Sequence, residues 1–153
     1  MDLGELIARE EIRELVAAYA QLADAGRFDA LLDLFADDAT LEPGELPAVT
    51  GREALRQFFS GTNRSLVAAT TRPLIRHHVS NLRITCEGPD AAGGTCYFFV
   101  VTERGPDHWG RYRDRYVRTG GRWRFQRRTV RTDGFAPGSW VAEQRRARTG
   151  QEK

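Results

Sequence analysis

The chain has 153 residues, 41% hydrophobic and 29% charged, with a formal net charge of +2. That length suits one domain with a real core, and so small a net charge points to neither a nucleic acid nor a membrane surface as partner. No apolar run approaches the ~20 residues of a membrane-crossing helix, and the acidic opening Met1-Asp2-Leu3-Gly4-Glu5 lacks the basic start of a secretory signal.

A cytoplasmic protein is therefore expected, with Cys86 and Cys96 read as a reduced pair flanking a turn. The basic residues are almost all arginine, Lys153 being the sole lysine, a skew that reads as codon bias rather than chemistry.

Helical periodicity fills the first third. Asp2 and Glu5 read as a capping box, and Ile12, Leu15, Val16, Tyr19, Leu22 and Ala23 form one apolar stripe that stops at Gly26. A second, short helix carries Phe28, Leu31, Leu32, Leu34 and Phe35, closed by Asp37-Asp38, and 39–42 reads as a short strand. Thr50-Gly51-Arg52-Glu53 caps a third helix with Ala54, Leu55, Phe58 and Phe59 on its inner side, ending near Gly61.

After Pro73 the pattern switches to strands over 74–86, 95–103, 109–118 and 122–131, separated by turns at Gly88-Pro89-Asp90, Gly105-Pro106-Asp107 and Gly120-Gly121. Along the last hairpin Tyr112, Asp114 and Tyr116 share the enclosed face, with Trp123 and Phe125 beside them, while Arg111, Arg113 and Arg115 share the wet one.

Helices followed by a strand meander predict an α+β fold: three N-terminal helices packed on a cone-shaped, curved antiparallel sheet, an α+β barrel enclosing one apolar pocket. Residues 1–141 make up the domain. Residues 142–153 read as a polar tail, for which helix and disorder both stay open.

The run Tyr19-x4-Asp24-x-Gly26-x-Phe28-Asp29-x-Leu31-x2-Leu34-Phe35 opens a series of matching motifs. Thr50-Gly51-Arg52-Glu53-Ala54-Leu55, Arg76-His77-His78-Val79-Ser80-Asn81, Gly110-Arg111-Tyr112-x-Asp114 and Gly121-Arg122-Trp123-x-Phe125-x2-Arg128 follow in order. Together they resemble SnoaL-like domains of the nuclear transport factor 2 superfamily, over roughly residues 8 to 131. The superfamily hosts dehydratases, isomerases, cyclases and non-catalytic members, so the resemblance speaks for the fold more than for the function.

The resemblance to scytalone dehydratase and the bile-acid dehydratases implies a strand histidine paired with a helix-end aspartate, plus pocket tyrosines, and no cofactor. Tyr19, Asp24 and His77 are the matching positions. Scytalone dehydratase carries a second pocket histidine on the next strand, where this chain offers Thr102 or Tyr97.

Physically, imidazole titrates near ~6.5 and can take and return a proton around neutrality. A carboxylate on one ring nitrogen fixes its tautomer, and a tyrosine hydroxyl can hold an enolate oxygen. The rival reading of His77 is a structural histidine bonded to a backbone carbonyl, and that of Tyr19 is plain core. Asp24 lies about 140° around the helix from Tyr19, so the two reach one pocket only if the helix turns near Ala25-Gly26. His78 faces the other way unless a bulge intervenes.

Tyr97, Tyr112, Asp114, Phe58 and Trp123 are the candidate substrate contacts, with Asp114 open to a structural hydrogen-bond role and Trp123 to a core role. His108-Trp109 reads as a rim feature. No metal is expected, because the three histidines and two cysteines lack ligand spacing.

Arg111, Arg113, Arg115, Arg118, Arg122, Arg124, Arg127, Arg128 and Arg131 crowd the last hairpin, and an outer sheet face salt-bridged to a twin subunit is preferred over a phosphate track. The expected partners are a small apolar molecule and a second copy of the chain, a trimer being the other option. The expected activity is a cofactor-independent, dehydratase-like lyase or isomerase acting on a ring-containing metabolite such as a polyketide or steroid-like compound. A cyclase and a non-catalytic ligand-binding module are the alternatives.

Overall fold

The computed structural model describes residues 1–67 and 74–150. Helix α1 (Leu3–Asp24) starts on Asp2, whose carboxylate accepts from the Glu5 amide at 2.8 Å. Glu5 does not return the favour; it bonds Arg9 instead. The stripe of Ile12, Leu15 and Val16 is buried as its spacing predicts. Gly26, at φ +68°, turns the chain sharply after α1, a conformation with no Cβ penalty for glycine.

Helix α2 (Phe28–Leu32) is shorter than its apolar spacing suggests, because Phe35 leaves it to open strand β1 (Phe35–Pro43). Strand β6 (Arg122–Phe135) causes this: the Phe125 amide donates to the Leu34 carbonyl at 2.9 Å, and Phe35 pairs with Phe125. Tertiary hydrogen bonding thus overrides local helical periodicity. Strand β2 (Val49–Thr50) leads into α3 (Arg52–Val67), which runs past Gly61, a residue that weakens a helix without ending it.

Strands β3 (Arg76–Cys86), β4 (Ala91–Thr102) and β5 (Gly105–Thr119) complete one six-stranded sheet in the order β2-β1-β6-β5-β4-β3. The sheet curls without closing, is antiparallel except where β1 runs parallel to β6, and carries α1 against β3 and β6. Helix α4 (Trp140–Gly150) occupies most of the stretch read as a polar tail, and residues 151–153 lie outside the described residues. Both cysteines are free, since Cys86 pairs across the ladder with Ala92 and Cys96 with Tyr112.

Bulges decide which side chains face inward, because one extra residue reverses the two-residue alternation. Gln126 is such an insertion: Tyr116 pairs with Phe125 but Arg115 with Arg127. Arg128 is thereby moved from the expected outer stripe to the interior, where it is 0% exposed. Asp107 is another, lying between the pairs Val100–His108 and Val101–Pro106, within β5 rather than in the expected turn.

A third bulge skips Asp133, and here Gly110 packs so closely that a Cβ would collide with the Arg131 carbonyl. Gly110→Ala is expected to destabilise the fold by at least ~2 kcal/mol, as overpacking against fixed backbone does. Equilibrium denaturation checks this, and an unchanged midpoint would contradict it.

Several outer arginines find carboxylates within the chain: Arg115 with Glu87 at 2.6 Å, Arg127 with Glu42 at 3.2 Å, and Arg111 with Asp133 at 3.1 Å. Exposed pairs of this kind each contribute less than about 1 kcal/mol. Their weight is in charge balance.

Candidate active site

A cavity of about 270 Å³ lies between the helices and the inner face of the sheet. Tyr19, Phe28, Leu31, Phe58, Phe59, Phe98, Val100 and Tyr112 make its wall mostly apolar.

His77 enters this wall from β3. The shift of register in β3 falls between Ser80 and Arg83, beyond His77, so the simple alternation holds: His77 points inward and His78 outward. The His77 Nδ1 lies 2.6 Å from Asp24 Oδ1, and its backbone N–H donates to Asp24 Oδ2 at 2.9 Å. Asp24 is the last residue of α1, and its carboxylate reaches the strand at the point where Ala25 and Gly26 turn the chain. It stands behind the ring rather than in the cavity wall.

Both carboxylate oxygens are thus committed to one residue. This fixes the ring orientation and, with the Nδ1 proton held by Asp24, leaves Nε2 toward the cavity.

Tyr19, Phe58 and Tyr112 line the cavity beside His77; Tyr97, Asp114 and Trp123 do not. Tyr97 points outward and is 55% exposed, because it sits an even number of residues from the outward-facing Phe99. Trp123 belongs to the core beneath. Asp114 is fully engaged in a buried knot: it receives Arg128 Nε at 2.9 Å and Nη2 at 2.8 Å, and the Tyr116 hydroxyl at 2.9 Å.

The Arg128 guanidinium also lies 4.1 Å from the ring centres of Tyr19 and Tyr112 and 4.2 Å from that of Phe125. Burial by itself would lower the proton affinity of Arg128, but Asp114 outweighs it and the net shift is upward. The knot stiffens the cavity floor under two of its tyrosines. Burial pushes the Tyr19 hydroxyl upward in pKa against the opposing pull of Arg128, and it pushes the Tyr112 hydroxyl up as well. Both stay protonated donors near neutrality.

Sequence reasoning placed His108 at the rim and gave it no part in the site. It lines the cavity, with Nδ1 2.8 Å from Asp107 Oδ1 and its ring edge-on to Phe98. Asp107 is 1% exposed, and its other oxygen accepts from the Trp140 amide at 2.7 Å, so it also caps α4. Trp140 and Val141 of α4 then close one side of the cavity.

Counting back from Tyr112 in steps of two would have pointed His108 inward. The glycine–proline turn signal obscured that count. Thr102 lies in the wall too. The Cys96 thiol, pushed up to about 12 by burial, is no nucleophile near neutrality. Among the described residues no group of three or more His, Cys, Asp and Glu side chains could hold a metal ion, and no helix is long and apolar enough to cross a membrane.

A family model described as a SnoaL-like domain matches residues 4–129. Among solved structures, a candidate scytalone dehydratase from Novosphingobium aromaticivorans is 24% identical, covering 89% of this chain and 91% of that chain, with a TM-score of 0.77. An NTF2-like protein with a cystatin-like fold, also from Novosphingobium aromaticivorans, is 31% identical over 94% of this chain and 96% of its own, with a TM-score of 0.69. LinA is 21% identical over 89% and 92% of the two chains, with a TM-score of 0.76.

Proposed function

Because this chain belongs to the SnoaL-like domain family, we propose that it is a cofactor-independent lyase or isomerase of the dehydratase kind, acting on a small, apolar, ring-containing molecule through His77 and Asp24. The observation that carries this reading is the 2.6 Å contact between Asp24 and the ring of His77, a residue that lines an apolar cavity. Nε2 carries a proton to or from the bound molecule, and Asp24 stabilises the ring while it is charged. Tyr19, a protonated donor in the same wall, is suited to hold a developing enolate oxygen.

The likeness in fold to a candidate scytalone dehydratase adds support for water loss as the chemistry. A cavity of about 270 Å³ falls just below the roughly 300–1,000 Å³ that houses drug-sized ligands. One or two fused rings suit it better than the steroid-like compounds among the sequence-based expectations.

The test uses one- and two-ring β-hydroxy ketones, with β-hydroxy-α-tetralone as first probe, since losing water turns it into fluorescent α-naphthol. Saturable naphthol formation is expected. If no member of the panel loses water and none exchanges protons with solvent, the catalytic reading fails and a binding module remains.

The outer sheet face supports a homodimer as part of this proposal. Tyr97, Phe99 and Trp109 stand exposed on it, Phe99 directly opposite Trp109, an apolar cluster suited to packing against a second copy. Trp109→Glu is expected to convert a dimer into a monomer in light scattering. Wild-type protein that is monomeric at tens of micromolar would remove the dimer.

A further inference from the structure

The molecule holds a second imidazole–carboxylate pair, and it stands beside the first on the sheet wall of the same cavity. Val100 is the ladder partner of both His77 on β3 and His108 on β5. The two histidines therefore leave the same side of the sheet, two strand spacings or about 10 Å apart at the backbone. Each gives Nδ1 to a carboxylate, and neither Nε2 has a protein partner among the described residues. A small ring lying over Val100 would have an imidazole at either end.

We propose that His108 is a second catalytic residue of this cavity, the base that removes a proton from the bound molecule while His77 acts as the acid, with Asp107 the positioning residue of His108. This rests on the reading of His77 given above and divides the labour within it.

The step balances as follows. The His108 Nε2 lone pair takes the hydrogen next to the carbonyl. The C–H electron pair becomes the new double bond as the C–O bond breaks. The hydroxyl oxygen leaves with that bonding pair and takes a proton from the His77 imidazolium, departing as water. His108 then loses its proton to solvent and His77 regains one, which restores the starting state.

The surroundings agree with this division. The groups facing His108 are Asp107 on its own strand, His77 across β4 and Arg145 from α4. Burial lowers its proton affinity, Asp107 opposes that, and His77 and Arg145 lower it further, with a net shift downward. A neutral ring with a bare Nε2 is what a base requires. Asp107 is the shared anchor: the carboxylate that orients His108 also holds the start of α4, and hence the wall built by Trp140 and Val141.

Two probes separate the roles in the full chain. Exchange of deuterium into α-tetralone, followed by NMR, needs a base but no leaving group. Naphthol formation from β-hydroxy-α-tetralone needs both groups.

H108N and H108Q are each expected to lower both rates by at least ~100-fold, the usual worth of a general base. H77N should lower naphthol formation far more than exchange. In D107N the acid limb of the exchange rate should move to lower pH, because the carboxylate that raises the affinity of His108 for its proton is gone. A merely structural Asp107 would not move that limb.

The proposal is overturned if either His108 variant keeps naphthol formation within a few-fold, or if H77N loses exchange as completely as it loses naphthol. It is equally overturned if the wild-type chain fails to exchange α-tetralone at saturation. Should H77N keep naphthol formation, the underlying reading of His77 falls as well, which tells the two failures apart.

Discussion

His77→Ala is expected to lower naphthol formation by about 100- to 10,000-fold, the range that general acid–base groups contribute, with the thermal midpoint hardly moved. The ring is part-buried in a cavity wall and not in the close-packed core, so its removal enlarges a space that already exists. Asp24→Asn makes a sharper test of the pair. The amide can still approach Nδ1, but it cannot stabilise the charged ring, and it can present its NH2 and so favour the wrong tautomer. A large fall in rate with unchanged circular dichroism is expected there too. Activity within a few-fold of wild type in His77→Ala would remove the proposed chemistry altogether.

The largest effect on stability is expected at the buried knot. Asp114→Ala leaves the Arg128 guanidinium 0% exposed with no counter-ion. Breaking a buried pair in this way costs about 3–5 kcal/mol, roughly 10 °C of midpoint for a chain of this size. Arg128→Met should cost less, since a stranded carboxylate can neutralise itself by taking up a proton, whereas a guanidinium cannot shed one near neutrality. Replacing the whole knot (Arg128→Met, Asp114→Leu and Tyr116→Phe) is expected to recover much of the loss, because the desolvation cost disappears with the charges. Calorimetry of the three proteins checks the order. If Asp114→Ala proves milder than Arg128→Met, the account of the charge balance is wrong.

Because Tyr19 and Tyr112 rest on this guanidinium, the single substitutions should also loosen the cavity floor. A rise in KM larger than the fall in kcat is the expected signature of a floor that positions the bound molecule without taking part in proton transfer.

The pairing of Asp24 with His77 shows how far residue order reaches. The spacing of Tyr19, Asp24 and His77 brought them forward through a family resemblance, while helix geometry set Asp24 about 140° from Tyr19. Both statements hold at once. Asp24 lies outside the apolar stripe, and it reaches His77 because β3 runs past the point where α1 ends. The carboxylate is met from outside the cavity, through the ring.

Arg128 and Asp107 mark the opposite case. Strict alternation assigns Arg128 to the wet face, and the glycine–proline signal assigns Asp107 to a turn. One unpaired residue, Gln126 in β6 and Asp107 itself in β5, overrides each assignment. A bulge is set by how two distant strands settle against each other, and nothing in the local run of residues declares it.

The residue order alone determined that helices precede a strand meander, that Tyr112, Asp114, Tyr116, Trp123 and Phe125 face inward, and that His77 and His78 face opposite ways. These follow from periodicities of 3.6 and 2, which each segment carries within itself. Only the tertiary structure decided that β1 runs parallel to β6, that Arg128 enters the core, and that His108 and α4 complete the cavity. Those outcomes depend on hydrogen bonds and charge pairs between segments far apart in the chain, whose register is fixed only when the segments meet.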